Sequence, residues 1–464
     1  METPEPVPPT SQADQDLPPY AHHASPPSTS ANRRELTDHV YHLYNSKNKP
    51  WASLKVRSTA RSNKFLPVYY EGEPINGEVE LNFEKEERIK AVSLMVMGRL
   101  ISTAANGDKT FLKMSHPLWS ASQGPPSSEP QSNRSSPVSS NEQVGKLLGK
   151  YTWPFTITMP KDVAMKGRSR KEQPKAYRLP PTFLVKNIHF TVQYELLVHI
   201  QRPSLHIDNK LGTVFGYTPC LVAPPPSPIR QIAYQENTAL VGPEDDPAGW
   251  TTLAPLHLQG SIFNTRPLQA SCTVSIAKPL CYTRGGTIPL VVLISSPDSH
   301  ALDLLSTPKF FDVQLIRHVG FDADFYRRRS DAGHATKLGT DATTSDESVA
   351  KAVWWPSPRE DDRPGGKRRL EGEIHLSGQL HPSCIFDRFL ISYSLVIYPP
   401  SAPGIALTGS GDLKQPLSLA QRRVEVVTAY PRGPRPRRYA PPGYDDGDDN
   451  SGAVRGDILG VIRV

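Results

Sequence analysis

Motifs that carry catalysis, nucleotide binding or metal binding are missing from this 464-residue sequence. It contains no G-x-S-x-G elbow, no P-loop and no H-E-x-x-H pair. Its four cysteines, at positions 220, 272, 281 and 384, are too few for a disulfide framework and form no C-x-x-C pair typical of zinc sites. We therefore expect reduced thiols, no metal, no cofactor and no enzymatic activity.

Long apolar runs and sustained helical periodicity are also lacking. No stretch of 18 apolar residues is available to span a membrane, and residues 1–10 lack the pattern of a signal peptide. No segment keeps a helical period over more than about three turns, and the best short helix candidate is residues 35–44. Hydrophobic residues make up 37% of the chain and 48 residues are proline, so part of it is expected to be linker or tail.

The dominant pattern is instead an alternation with a period of two. Shorter alternating runs lie at residues 78–83, 90–100, 271–276, 289–295, 311–319, 373–376, 388–398 and 422–428. The longest run covers residues 187–200, where every even position is apolar: Ile188, Phe190, Val192, Tyr194, Leu196, Val198 and Ile200. Such strands are typical of antiparallel sheets with one wet face. The predicted fold is all-β, with two tandem antiparallel β-sandwiches carrying long disordered loops and tails.

Composition predicts the domain boundaries. Residues 1–35 are rich in Pro and Ser and are predicted to be a disordered N-terminal tail. Residues 36–222 are predicted to be the first sandwich, with a disordered insertion at about 121–143. A Pro-rich connection at 223–265 precedes the second sandwich at 266–430, which has a loop insertion at about 322–366. Residues 431–464 are predicted to be a disordered tail.

The net charge of +7 is concentrated in clusters at residues 327–329, 367–369 and 432–438. Basic clusters attract acidic lipid headgroups, phosphorylated tails or nucleic acid, although solvated loops are the simpler interpretation. Aromatic residues that would stack on bases are not interleaved with these clusters. Nucleic acid is therefore not expected as a partner, and acidic lipid is retained as a further contact.

A proline–tyrosine tetrad in the predicted tail is the clearest candidate site. Pro441, Pro442, Gly443 and Tyr444 form a PPxY sequence, whose prolines favour the extended polyproline II conformation that WW domains bind. A Pro-rich chain also produces such tetrads by chance, so the exposed location carries the interpretation. Leu17, Pro18 and Tyr20 form an LPxY variant, which is either a second, weaker ligand acting by avidity or a coincidence.

Two blocks of the first half are more specific than the alternation. The first block covers residues 37–56 and 66–81 and includes Glu71-Gly72-Glu73. The second block covers residues 151–155 and 178–183, before the long alternating strand. Together these blocks resemble the N-terminal domain of fungal arrestin-like proteins, the α-arrestin adaptors. Residues 285–290 are similar to the opening of an arrestin C-terminal domain. The resemblance covers residues 36–430 and implies two curved arrestin-type β-sandwiches.

The resemblance also implies a function. It implies a cytosolic, non-enzymatic adaptor that is recruited peripherally to the plasma membrane or endosomes and binds cytoplasmic tails of transporters or receptors. Pro441, Pro442 and Tyr444 would bind a WW-domain HECT-type ubiquitin ligase and promote endocytosis or sorting, although better-known members carry more than one strict PPxY. A ligase-independent vesicle-coat subunit or a signalling scaffold is the alternative. An enzyme would require a deep pocket with convergent titratable groups.

Overall fold

The computed structural model describes residues 36–102, 108–124, 146–165, 173–185, 190–203, 206–321, 343–358, 366–400, 403–408 and 418–444. The strands described in the first half of the chain are β1 (Thr37–Tyr44), β2 (Pro50–Ser58), β3 (Val68–Tyr70), β4 (Ile75–Arg88), β5 (Ala91–Ser102), β6 (Lys109–Ser120), β7 (Lys146–Ile157), β8 (Asp162–Met165), β9 (Lys175–Arg178), β10 (Phe190–Gln201) and β11 (Asn209–Thr218). A 3₁₀ turn at Ala121–Gln123 follows β6.

The first sandwich consists of two sheets. One has the order β1-β2-β4-β7, the other has the order β3-β11-β10-β5-β6, and β8 and β9 form a separate hairpin. All these pairs are antiparallel except β3 with β11. The long alternating strand predicted from the sequence is β10, which lies between β5 and β11 and buries every second side chain. Apolar faces of the two sheets share one hydrophobic core, as the alternation requires.

The two arrestin-like sequence blocks meet in this sandwich. Arg178 donates to both carboxylate oxygens of Glu71, at 2.9 and 2.7 Å, and also to the Cys220 carbonyl at 2.9 Å. Gly72 has a φ of +85°, which suits glycine in the turn that places Glu71 there. A bidentate arginine–carboxylate pair has a fixed geometry, so it holds the turn before β4 against the strand β9 and the end of the sandwich.

The second half contains the two α-helices of the described chain and twelve strands. These elements are α1 (Pro228–Glu236), β12 (Trp250–Thr252), β13 (Leu256–Ile262), β14 (Arg266–Ala277), β15 (Cys281–Thr283), β16 (Thr287–Ser295), α2 (Ser299–Leu305), β17 (Val313–Phe321), β18 (Thr343–Pro356), β19 (Lys367–His375), β20 (Cys384–Phe386), β21 (Phe389–Ile397), β22 (Ile405–Leu407) and β23 (Ala420–Val427). A 3₁₀ turn at Pro247–Gly249 precedes β12.

The second sandwich is a single curled sheet. Its order is β15-β23-β21-β17-β18-β19-β16-β14-β13-β22, with β12 on β14 and β20 on β21. The curl passes through β18, whose first part pairs with β17 and whose last part, Ala352 to Pro356, pairs with β19. A register shift in the β17–β18 pairing, between Leu315 and Ile316, accompanies this change of partner, as expected of a bulge. β15 pairs in parallel with β23, as β3 does with β11 in the first sandwich. The predicted all-β fold with two tandem arrestin-type sandwiches is confirmed.

The structure corrects three local predictions. Residues 35–44 are not helical where the structure describes them: Thr37–Tyr44 form β1, which exposes Val40 and Tyr44 and buries His39. The predicted loop at 322–366 contains the 14-residue strand β18. The first half of this strand is polar, so it lacks the alternation that predicts a strand. Within the predicted connection at 223–265, β12 and β13 are strands of the second sandwich paired with β14.

Aromatic side chains form the interface between the two sandwiches. Phe386 of the second sandwich contacts Phe111 and Tyr177 of the first, with ring centroids 4.8 and 5.6 Å apart. Phe389 packs against Phe183 and Phe190 in the same way, at 5.2 and 5.5 Å. The hydrophobic core is consequently continuous from one sandwich to the other, which fixes their relative position.

Candidate docking site in the C-terminal segment

The chain does not leave the second sandwich after β23. Residues 430–440, which we call the strap, run along its surface, so the predicted disordered tail at 431–464 is wrong for this part. Pro431, Pro434 and Pro436 line a cavity of about 50 Å³ together with Arg230 and Tyr282 of the sandwich. Proline lacks a backbone N–H, so these residues cover the apolar surface without leaving a donor unsatisfied.

An arginine fastens the strap to α1. The Arg437 Nε donates to the Tyr234 carbonyl at 2.8 Å, and its Nη1 donates to Oδ1 of Asn237 at 3.3 Å. Asn237 is the left-handed C-cap of α1, so both acceptors lie at the end where carbonyl groups lack helical partners. The Thr287 hydroxyl donates to the Arg437 carbonyl at 3.3 Å. The side chain of Arg437 and its backbone carbonyl thus both hold the strap in place.

A buried carboxylate holds the strap at its last two residues. Glu373 lies on β19 and is 1% exposed. It accepts the backbone N–H groups of Tyr439 and Ala440 at 3.0 and 3.1 Å, and its Oε1 lies 2.7 Å from Nε2 of His375. A charge buried this deeply is costly unless hydrogen bonds compensate it. We call this contact between Glu373 and the two strap amides the clasp.

Aromatic packing accompanies the clasp. The ring of Tyr439 lies 6.3 Å from the ring of Tyr234 on α1. Burial at this position raises the pKa of Tyr439 above its usual value. Arg435 stacks over Tyr430, with its guanidinium carbon 5.3 Å from the ring centroid. These contacts favour one orientation of the strap, and they leave the guanidinium groups of Arg432 and Arg435 on the exposed side.

The PPxY tetrad begins at the residue after the clasp. Pro441 is half-buried, whereas Pro442, Gly443 and Tyr444 are exposed, Tyr444 by 38%. The Tyr444 N–H donates to the Pro441 carbonyl at 3.1 Å, and Gly443 has a φ of +92°. This is a turn with proline and glycine at its centre, instead of the extended polyproline II conformation expected from the sequence. The tetrad is accessible, but it is folded back on itself.

Several predicted features lie outside the described residues. These are the LPxY residues Leu17, Pro18 and Tyr20 and the basic cluster at 327–329. A Ser-Pro pair, Ser357 and Pro358, follows β18 within the described residues. Ser357 is buried and donates to Oε1 of Glu371 at 2.8 Å, which makes it a poor kinase target in the folded chain.

The basic cluster at 367–369 is part of a strand and not a solvated loop. Arg369 is 2% exposed on β19, and its Nη1 lies 3.0 Å from a carboxylate oxygen of Glu244. Arg368 pairs with Asp303 of α2 at 3.2 Å. Two of the three positive charges, those of Arg368 and Arg369, are therefore paired with carboxylates, whereas Lys367 is exposed.

A second group of buried charges lies where the sandwiches meet. Arg317, 1% exposed on β17, donates to Glu347 at 2.5 Å, and its Nη1 lies 3.4 Å from Nδ1 of His381. Burial, together with Arg317 and Arg284, lowers the pKa of His381 to about 3. The His381 ring packs on Phe183 of the first sandwich at 4.9 Å. A neutral imidazole at this interface accepts a hydrogen bond from Arg317 without adding another positive charge.

Glu373 and Arg437 were missed by reasoning from the sequence. Their partners are 66 and 203 residues away along the chain, so no local pattern reveals either contact. The signal available in the sequence was Glu373 itself, an acidic residue within the alternating run at 373–376. A charge buried in such a strand requires partners from another part of the chain. Within the described ranges, no cluster of His, Cys, Asp and Glu could hold a metal ion, and no helix is long and apolar enough to cross a membrane.

Comparison with known proteins gives one family match. Residues 59–217 match the model of the Arrestin (or S-antigen), N-terminal domain, which covers roughly a third of the chain and most of the first sandwich. No curated protein shows significant similarity to the sequence. The match supports an arrestin-family protein and agrees with the tandem sandwiches of the structure.

Proposed function

We propose that this protein is an arrestin-like cytosolic adaptor of the α-arrestin type that binds membrane-protein cargo and a ubiquitin ligase at the same time. The arrestin N-terminal match and the tandem sandwiches support the adaptor body. The observation that carries the ligase part is the tetrad formed by Pro441, Pro442 and Tyr444 beside that body, in which Pro442 and Tyr444 are exposed. The ligase would be a HECT-type enzyme whose WW domains bind the tetrad.

Each part of the molecule has a separate task in this proposal. The sandwiches bind cytoplasmic tails of membrane transporters or receptors, and the tetrad brings the ligase to the cargo. Ubiquitin transfer to the cargo then promotes its endocytosis or sorting at the plasma membrane or endosomes. Leu17, Pro18 and Tyr20 supply a second, weaker WW ligand, which would increase the occupancy of a ligase with several WW domains.

The exposed arginines of the strap favour a further contact with acidic lipid. Arg432 and Arg435 are exposed, and Pro434 between them lines the cavity on the sandwich. Lipid headgroups carrying negative charge attract such residues by about 1 kcal/mol each near the surface. This contact would hold the adaptor near its cargo while the tetrad remains available for the ligase.

Proximity labelling in the native cell tests the proposal. Replacing Tyr444 by Ala is expected to abolish labelling of HECT-type ligases while labelling of membrane cargo persists, because the two partners bind different surfaces. Tyr44→Ala, at an exposed tyrosine on β1, is the control and should leave ligase labelling unchanged. Unchanged ligase labelling with Tyr444→Ala, or stoichiometric co-purification with vesicle-coat subunits, would refute the ligase assignment.

A further inference from the structure

The clasp and the tetrad are adjacent in the chain, so the stability of the clasp is linked to the exposure of the tetrad. The amides of Tyr439 and Ala440 bond to Glu373, and Pro441 follows directly. Glu373 is buried and receives two backbone donors from the strap. If the strap left the surface, the carboxylate would lose both donors and would need water in their place. Docking of the strap and burial of Glu373 therefore support each other.

The docked conformation differs from the one that a WW domain binds. The hydrogen bond between the Tyr444 N–H and the Pro441 carbonyl closes a turn, whereas a polyproline II ligand is extended and has no internal hydrogen bonds. Pro441 is also half-buried against the sandwich. Binding thus requires that the turn opens and that Pro441 separates from the surface, and the clasp opposes both movements because it fixes the preceding residue.

We propose that the Glu373 clasp is an intramolecular lock that lowers the affinity of the tetrad for WW domains. This inference rests on the proposed ligase docking and specifies its regulation. A chain whose tetrad is competent in only a fraction of molecules binds with an affinity reduced by that fraction. A clasp closed in about 90% of molecules would weaken the apparent affinity about tenfold. Any event that opens the strap then increases ligase recruitment without altering the tetrad.

The position of the lock explains why Arg437 and Tyr439, just before the tetrad, both contact α1. Arg437 bonds to α1 and Tyr439 packs on the same helix, so these contacts hold the strap on the surface at the residues next to the clasp. A flexible tail would need none of these contacts to present a short linear ligand. Contacts concentrated at the residues just before the tetrad indicate control of the tetrad itself.

Calorimetric titration of one purified WW domain from a HECT-type ligase tests the lock. Four ligands are compared: the full chain, its Glu373→Gln variant, its Asn237→Gly variant and a synthetic peptide of residues 437–448. Glutamine keeps the shape of Glu373 but turns an NH₂ group toward the strap amides, which opens the clasp. Glycine tolerates the left-handed conformation of position 237 and removes the Oδ1 that accepts from Arg437.

The peptide and Glu373→Gln are expected to bind about tenfold more tightly than the full chain, and Asn237→Gly about threefold more tightly. Glu425→Gln, the same change at an exposed position of β23, should leave the affinity unchanged. Equal affinities for the full chain, the peptide and both clasp variants would overturn the lock while leaving ligase docking intact. Absence of binding to the peptide would instead refute ligase docking itself. If Glu373→Gln does not fold, the peptide and Asn237→Gly decide the outcome.

Discussion

Buried ionisable residues are concentrated at the positions where separate segments meet. Glu373 holds the strap, Arg317 and His381 lie between the sandwiches, and Arg369 joins β19 to Glu244. His381 is neutral, and each of the three charged groups, Glu373, Arg317 and Arg369, is compensated by partners from a distant part of the sequence. Removing one partner leaves an uncompensated buried group, so these positions are more sensitive to substitution than surface ion pairs are.

His381 should make the stability of the fold depend on pH. Its pKa is lowered to about 3 in the folded chain, from 6.5 when unfolded, so between those values the unfolded chain binds the proton more strongly. Stability therefore falls as the pH drops below 6.5. His381→Asn keeps an acceptor for Arg317 but does not titrate. Between pH 7 and pH 5 we expect the variant to lose about 1–2 kcal/mol less stability than the wild type, measured by urea unfolding.

The control for this prediction is His300→Asn, at an exposed position of α2. That variant should keep the pH dependence of the wild type. Identical pH profiles for His381→Asn and the wild type would show that His381 titrates normally in the folded chain.

Among the elements, β18 has the greatest effect on the shape of the second sandwich. It is the strand through which one sheet curls into two layers, and its Trp354 is buried with its indole N–H donated to the Phe311 carbonyl at 3.1 Å. The sequence suggested that Trp354 and Trp355 lie in a loop. Polar residues in the first half of β18 hide the alternation, and the strand becomes evident only through its pairing with β17 and β19.

Gly372 on β19 tests the pairing with β18. A Cβ at this position would lie 2.3 Å from Cε3 of Trp354, so Gly372→Ala must displace a buried indole. We expect a loss of about 1–3 kcal/mol in the free energy of unfolding, as for other overpacked cores. Gly378→Ala is the matched control, because a Cβ there meets nothing within 4 Å, and it should change stability by less than about 0.5 kcal/mol. Equal effects of the two variants would contradict the β18–β19 register.

Strands that alternate strongly were predictable, and elements stabilised by distant partners were not. The alternation at 187–200 identified β10, because a half-buried strand needs one apolar face whatever its neighbours are. Residues 256–262 and 343–356 lack such a clear pattern and are strands because other strands pair with them. For the same reason the tetrad could be found by its sequence, but the strap could not, since its contacts involve α1 and β19.

At the scale of the whole molecule, the aromatic interface makes the two sandwiches one body. Phe386 is fully buried between Phe111 and Tyr177 of the other sandwich. If the proposed function holds, such rigidity would fix the distance between the ligase-binding tetrad and the cargo-binding surface. The strap extends this rigid body up to the residue before the tetrad.

Phe386→Ala should uncouple the sandwiches. We expect a loss of about 3–5 kcal/mol and, in scanning calorimetry, two separate thermal transitions in place of one. The neighbouring Ile385→Ala is the control, because Ile385 is 52% exposed, and it should keep the single transition. A single transition at an unchanged temperature for Phe386→Ala would show that the interface contributes little to the coupling.

The binding of a WW domain to the full-length chain tests the central claim most directly. Titration of a purified WW domain should give saturable, micromolar-class binding to the wild type, and Tyr444→Ala should weaken it by at least about tenfold while the fold remains intact. Wild-type binding that Tyr444→Ala leaves unchanged, or no binding by either the full chain or the clasp variant Glu373→Gln, would contradict the proposed role of Pro441, Pro442 and Tyr444.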